Sequence, residues 1–197
     1  KVRSLVRQVA SDIARAEDFF IQETRDRLAN EVLDYNYDRP DDENEDFIYL
    51  GHGIETLWMV LKEALRRKDR SLFDLATERF KRHVEVAWDD VYGGFFRAMH
   101  VNGELTFDKV LWLQEEVLIG TMILMEHTDL EWAEEWFGRT YRYVQEKFSL
   151  KQYGYPMFIM GGDRKVTFQP HVSRKGNYHR PRHLMLNLLA LDRMVSQ

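Results

Sequence analysis

GHGIETLW, residues 51–58, follows an acidic loop and opens a run in which Ile54, Leu57, Trp58, Leu61, Ala64 and Leu65 recur at helical spacing. His52 and Glu55 stand at its head, i,i+3 neighbours on one helix face. The pair has two readings: a helix cap with a surface charge, or half of a chemical site whose carboxylate orients an imidazole and raises its basicity. The run ends in Arg66, Arg67 and Lys68, cations suited to a helix C-terminus.

The same periodicity recurs on both sides. Val2, Leu5, Val6, Val9, Ile13 and Phe20 predict an amphipathic helix, and LANEVLDYNYDRP (residues 28–40) reads as a short strand running into a turn at Pro40. A second helix is expected over about Ser71 to Trp88, with Ser71 as N-cap. Asn102-Gly103, flanked by alternating residues, predicts a hairpin with a type I′ turn. Helices follow near Lys109 to Glu126 and Leu130 to Phe148, then a hairpin around Gly161-Gly162 and a last helix from about Pro181. Two helices and then a hairpin is the repeating unit, which fits a bundle or a toroid of helical hairpins. No linker divides the chain, so residues 1–197 are read as a single domain.

Composition narrows the function classes. Of 197 residues 44% are hydrophobic, enough for one sizeable core. Lys and Arg total 28 against 33 Asp and Glu, interspersed, and no basic stripe points to nucleic acid or an anionic membrane. The acidic run DRPDDENED (residues 38–46) reads as a solvated loop. With no cysteine there is no disulfide, thiolate nucleophile or Cys-type zinc site. No apolar run approaches the ~20 residues of a membrane span, and the amino end is unlike a signal peptide, so a cytoplasmic location is the default. Residue 1 is Lys with a helical pattern already under way, as if the chain began in the middle of something.

Three segments set polar side chains at or near the start of apolar helices, which makes a rim. Besides GHGIETLW they are KVLWLQEEVLIG (109–120), where Lys109, Trp112 and Glu116 share a helix face and Gln114 lies on an adjoining one, and SRKGNYHRPRHLM (173–185), where His179 precedes its helix and Arg182 follows one turn later. Taken singly, His52 reads as a cap, Trp112 as core and Arg182 as an ion-pair partner. Taken together, with WDDVYGGFF (88–96), they resemble the N-acylglucosamine 2-epimerase family, which includes cellobiose 2-epimerases and aldose–ketose isomerases. Its pattern runs GHxIE, a Trp, WxxxxGGFF, KxWWxQxE and KGxxHxxR, in register with this sequence from about Asp34 to the end.

The resemblance implies an (α/α)6 barrel of inner and outer helices with hairpins at the rim over a sugar pocket. The full barrel needs about twice this length, so the expectation is the carboxyl-terminal half of one, either joined to its missing amino-terminal half or closed in a homo-oligomer. It further implies inversion at C2 of an open-chain aldose or N-acyl-hexosamine by two bases on opposite faces, with no cofactor or metal. His52 and His179 would be those bases, Glu55 would orient His52 or bind the sugar, Arg182 would face the developing oxyanion, Trp112 would stack on the sugar, and Gln114 and Glu116 would contact it. Leu111 stands where the family often has a second tryptophan. His83, His100, His127 and His183 are assigned to surface or packing roles, and His171 lies near the third motif.

Three alternatives stay open. An aldose–ketose isomerase would use the same enediolate. An inverting glycoside hydrolase would pair Glu55 with Glu116 at ~6.5–9.5 Å. A catalytically incomplete sugar-binding or regulatory protein would keep the scaffold alone.

Overall fold

Helical pairs joined by short hairpins make up the chain in the computed structural model, which describes residues 11, 15, 22–23, 25–36, 38–150, 155–156, 159–160 and 178–196. β1 (Phe47–Ile48) leads into α1 (Leu50–Arg67), and α2 (Arg70–Ala87) folds back along it. β2 (Ala98–His100) and β3 (Leu105–Thr106) complete an antiparallel sheet in the order β1-β2-β3, with Phe47 opposite His100 and Ala98 opposite Thr106. β4 (Lys109–Val110) then feeds α3 (Leu111–His127), which is followed by α4 (Glu131–Tyr143) and a π-helical turn over Val144–Phe148. β5 (Ser149–Leu150) pairs with β6 (Tyr155–Pro156), and β4 with β7 (Ile159–Met160). α5 (His179–Val195) is the last element.

The local chemistry explains the boundaries. Lys68 closes α1 in the left-handed region (φ 58°), and its N–H reaches the carbonyls of Ala64 and Leu65, which satisfies groups the helix end leaves free. α2 starts one residue before the expected Ser71: the cap is Asp69, whose carboxylate accepts the Leu72 N–H at 3.0 Å. Asp and Ser cap about equally well, so composition alone does not choose between them.

α1 lays Ile54, Leu61 and Ala64 against α2, whose buried side carries Phe73, Ala76, Phe80 and Val84. α3 is different. It is buried on nearly every side from Leu113 to Leu124, which is the pattern of a helix enclosed by others rather than lying on a surface. It packs on α1, α4 and α5, so α1, α3 and α5 form an inner layer that α2 and α4 cover. The inner three run parallel: their heads meet at His52, Trp112 and His179, and Leu65, Ile123 and Ala190 share a cavity nearer their tails. α5 leaves Leu184, Met185, Leu188 and Leu189 exposed. Among the described residues no helix is long and apolar enough to cross a membrane.

Several expectations need correction. Described residues within 28–40 form no strand; Asp34 and Asp42 instead accept nearby backbone N–H groups, and the strand lies further on, at Phe47–Ile48. At Asn102-Gly103 only Gly103 takes positive φ (90°), so the turn is not type I′. Gly103 N–H bonds to His100 O and His100 N–H to Glu104 O, a three-residue loop with a left-handed glycine after an ordinary turn. Lys109 belongs to β4 rather than to a helix. The segment expected as one helix to Phe148 changes to π geometry after Tyr143. The amphipathic face over residues 2–20, most of the Gly161-Gly162 hairpin, His171 and residues 173–177 of the third motif lie outside the described residues.

Candidate active site

The two glycines of GHG allow helices to approach closely. A Cβ on Gly51 would stand 2.5 Å from the Trp112 ring, and one on Gly53 would stand 2.7 Å from His83. Without side chains there, the heads of α1 and α3 come together, and His52 between the glycines is left to face outward.

His52 is the third residue of α1 and half exposed, with its Nδ1 2.8 Å from Glu31 Oε1. An ionised carboxylate only accepts, so Nδ1 carries the proton and Nε2 keeps its lone pair. The imidazole stacks on Tyr49 at 4.2 Å and leans on the Trp112 indole at 5.5 Å. Glu55 therefore does not orient His52. That role falls to Glu31, twenty-one residues upstream in a loop that no motif marks. The loop is itself held from α2: Ala29 N–H donates to His83 Nε2 at 3.1 Å, and His83 Nδ1 donates to Arg79 O. Burial pushes His83 down to about 4, which keeps it the neutral acceptor this bond requires.

His179 is the first residue of α5 and stacks on the same indole at 5.0 Å. Its Nδ1 lies 2.8 Å from Glu116 Oε1 and 3.2 Å from Arg182 Nη2. Arg182 Nη2 has only two hydrogens, and they go to Glu55 Oε1 and Glu116 Oε1, each at 2.6 Å. None remains for the imidazole. Nδ1 of His179 thus donates to Glu116, and its Nε2, like that of His52, holds the lone pair.

Glu116 is fully buried and engaged through both oxygens: Oε2 accepts the Trp58 indole N–H at 2.6 Å, and Oε1 accepts from Arg182 and His179. It does not project toward a ligand as expected but lies beneath His179. Arg182 gives Nη1 to the Tyr178 hydroxyl at 2.8 Å and lies over the Trp58 and Tyr178 rings. One Nη1 hydrogen and an unpartnered Nε remain, so Arg182 acts chiefly as the cation between two carboxylates. Glu55, Glu116 and His179 bring donor atoms within 4.8 Å of one another, a spacing a metal ion could use. Arg182 Nη2 sits on all three and supplies the positive charge. The same closeness rules out the hydrolase pairing of Glu55 with Glu116, which needs a wider gap and an accessible second carboxylate.

The remaining motif residues are scaffold. Gln114 is fully buried; Oε1 accepts the Phe95 N–H, and Nε2 donates to Phe95 O and Val110 O, so its amide is spent and it does not reach a sugar. Lys109, expected beside Trp112 and Glu116, is buried the other way and donates to Asp89 Oδ2 and Gly93 O, at 2.5 and 2.7 Å. It ties the Gly93-Gly94 turn to β4. Trp112 is half-buried between the two histidines. His183 packs, as expected, and burial pushes it down to about 4. His83 is also a packing residue, while Glu31, Tyr49 and Tyr178 join the site without having been singled out in the sequence.

Parallel inner helices with a polar rim at their heads define a toroid of helical hairpins with a site at one mouth. A family model described as N-acylglucosamine 2-epimerase (GlcNAc 2-epimerase) matches residues 1–180, and the chain belongs to that family. Among solved structures it is similar to cellobiose 2-epimerase from Spirochaeta thermophila (15% identity, TM-score 0.64), with 100% of this chain and 51% of that one covered. It is also similar to cellobiose 2-epimerase from Bacillus thermoamylovorans (13%, TM-score 0.64, covering 81% and 45%) and to a sugar epimerase from a ruminal bacterium (20%, TM-score 0.62, covering 89% and 47%). D-mannose isomerase matches at 20% identity and TM-score 0.56, over 59% of this chain and 31% of that one. These matches give the fold, that of the (α/α)6 barrel epimerases. The chain spans about half the length of these structures or less. No curated protein sequence matches it.

Proposed function

We propose that the chain carries the C2 acid/base site of a sugar 2-epimerase acting on an aldose or N-acyl-hexosamine. One observation supports this above the rest: two imidazoles, each held by a carboxylate at Nδ1 with Nε2 left basic, flank a single indole. One Nε2 takes the C2 proton and the C–H electron pair moves into the carbonyl to give an enediolate. The other imidazole, protonated, returns a proton to the opposite face of C2. Glu31 and Glu116 keep each ring in the required tautomer and stabilise the imidazolium as it forms. The heads of α1, α3 and α5, each worth about half a positive charge, favour the enediolate. Trp112 offers the sugar an apolar face between the bases.

An aldose–ketose isomerase is the second reading, suggested by the likeness to D-mannose isomerase. It would use the same proton abstraction and return the proton at C1. We further propose that residues 1–197 are the carboxyl-terminal half of a ring. The coverage of about half of each matched barrel and the exposed leucines of α5 support that reading.

Incubation with glucose, mannose and N-acetylglucosamine in D2O, followed by NMR, tests the activity. Deuterium at C2 of the epimeric aldose is the expected result. A ketose product moves the assignment to isomerase, and hydrogen retained at C2 with every sugar overturns both.

A further inference from the structure

Positions 115 and 180 are open in the patterns KxWWxQxE and KGxxHxxR and position 183 lies just past the second, yet this chain fills all three with ionisable residues that face one another. Glu115 is 1% exposed and reaches from α3 to α5, where Arg180 Nη1 lies 3.4 Å and His183 Nδ1 3.7 Å from its Oε1. Arg180 and His183 alternate along α5 with His179 and Arg182, which reach Glu116, the next residue of α3. Adjacent carboxylates of one helix therefore engage the same opening turns of another. Glu116 engages the reacting imidazole; Glu115 engages the residues between.

A buried carboxylate is costly without compensating charge, and an apolar side chain would fill this space more cheaply. Among the described residues, the charged groups that act on Glu115 are Arg180 from α5 and Glu116 beside it, while the neutral His183 imidazole faces it. Burial pushes Glu115 up to about 7, Arg180 pulls it down and Glu116 pushes it further up.

We propose that Glu115 is a positioning residue for the two-base reaction: through Arg180 it fixes the opening turn of α5, and so the placing of His179 and Arg182. This rests on the reading above. Misplacement of a reacting group by ~1 Å can cost about a hundredfold in rate.

The test compares wild type with Glu115→Gln, Arg180→Met and His179→Ala, following C2–H exchange in D2O between pH 5.5 and 9. For Glu115→Gln the expected result is a kcat lowered by about ten- to a hundredfold at near-constant KM, with loss of the limb near pH 7. Arg180 is partly exposed, so its replacement keeps the proposal testable even if Glu115→Gln folds poorly. Arg180→Met lowers kcat similarly and moves the limb to higher pH, because the group that holds Glu115 down is gone. Wild-type kcat and pH profile in both variants, or a loss of thermal stability alone, overturns the positioning role. Epimerisation retained in His179→Ala would instead overturn the two-base reading itself.

Discussion

Glu116 Oε1 and His179 Nδ1 meet at 2.8 Å, and the carboxylate that makes this contact has no exposure to solvent. Its other partners are a guanidinium and an indole N–H, so both of its oxygens are engaged within the protein. Replacing it by Gln keeps the volume but sets an amide N–H or a neutral oxygen against groups that need an anion. Glu116→Gln should lower C2 exchange by at least about 10²-fold, and should cost about 3–5 kcal/mol in urea unfolding because Arg182 loses a buried counter-charge. Unchanged exchange would show that His179 does not depend on this bond.

Glu31 and Glu55 are separable. Glu31→Gln disturbs the His52 ring, whereas Glu55→Gln disturbs only Arg182. In ¹⁵N NMR the His52 imidazole signals should move in Glu31→Gln and stay in place in Glu55→Gln, and Glu31→Gln should slow exchange by roughly tenfold. The reverse pattern would restore the pairing suggested by the sequence spacing.

Stability should fall on mild acidification. His83 and His183, both buried, are pushed down from 6.5 to about 4. Their contribution is complete above pH 6.5 and lost as pH falls toward 4, because the unfolded chain takes the proton first. Glu115, pushed up from 4.5 to about 7, works in the opposite sense, with its contribution present below 4.5 and lost as pH rises through 7. Two imidazoles against one carboxyl leave a net loss on the order of 2 kcal/mol between pH 7 and 5. Urea midpoints at the two pH values check the sign, and His83→Gln should make the loss shallower.

Glycine positions give a contrasting pair. Gly94 has φ +80°, and a Cβ there would stand 2.3 Å from the Tyr143 ring, whereas a Cβ on Gly138 in α4 would meet nothing within 4 Å among the described residues. Gly94→Ala should destabilise by about 2 kcal/mol or more, and Gly138→Ala should stabilise by about 0.5–1 kcal/mol, read as opposite shifts in thermal midpoint.

The sequence revealed the helices better than it revealed what their polar residues do. Periodicity located α1 and α2 because each buries one stripe, whereas α5 was marked by Pro181 near its start and leaves most of its leucines exposed. α3 has no such stripe, because it is buried on nearly every face with Glu115 and Glu116 among the buried residues. The motifs marked His52, Trp112, His179 and Arg182, which the structure brings together. They did not separate chemistry from scaffold: Lys109 and Gln114 have motif spacing because they hold the Gly93-Gly94 turn and Phe95 in place. Glu31 was hidden because its partner is twenty-one residues away across a loop. Spacing along a helix favoured Glu55 for His52, but Arg182, 127 residues on in the chain, claims that carboxylate.

A single-turnover reaction in D2O, stopped early and analysed for deuterium in both sugars, addresses the central claim most directly. Two opposed monoprotic bases put solvent deuterium at C2 of the product and leave hydrogen at C2 of the recovered substrate. Deuterium entering the recovered substrate as fast as product forms would mean one base serves both faces, and the pairing of His52 with His179 would be wrong.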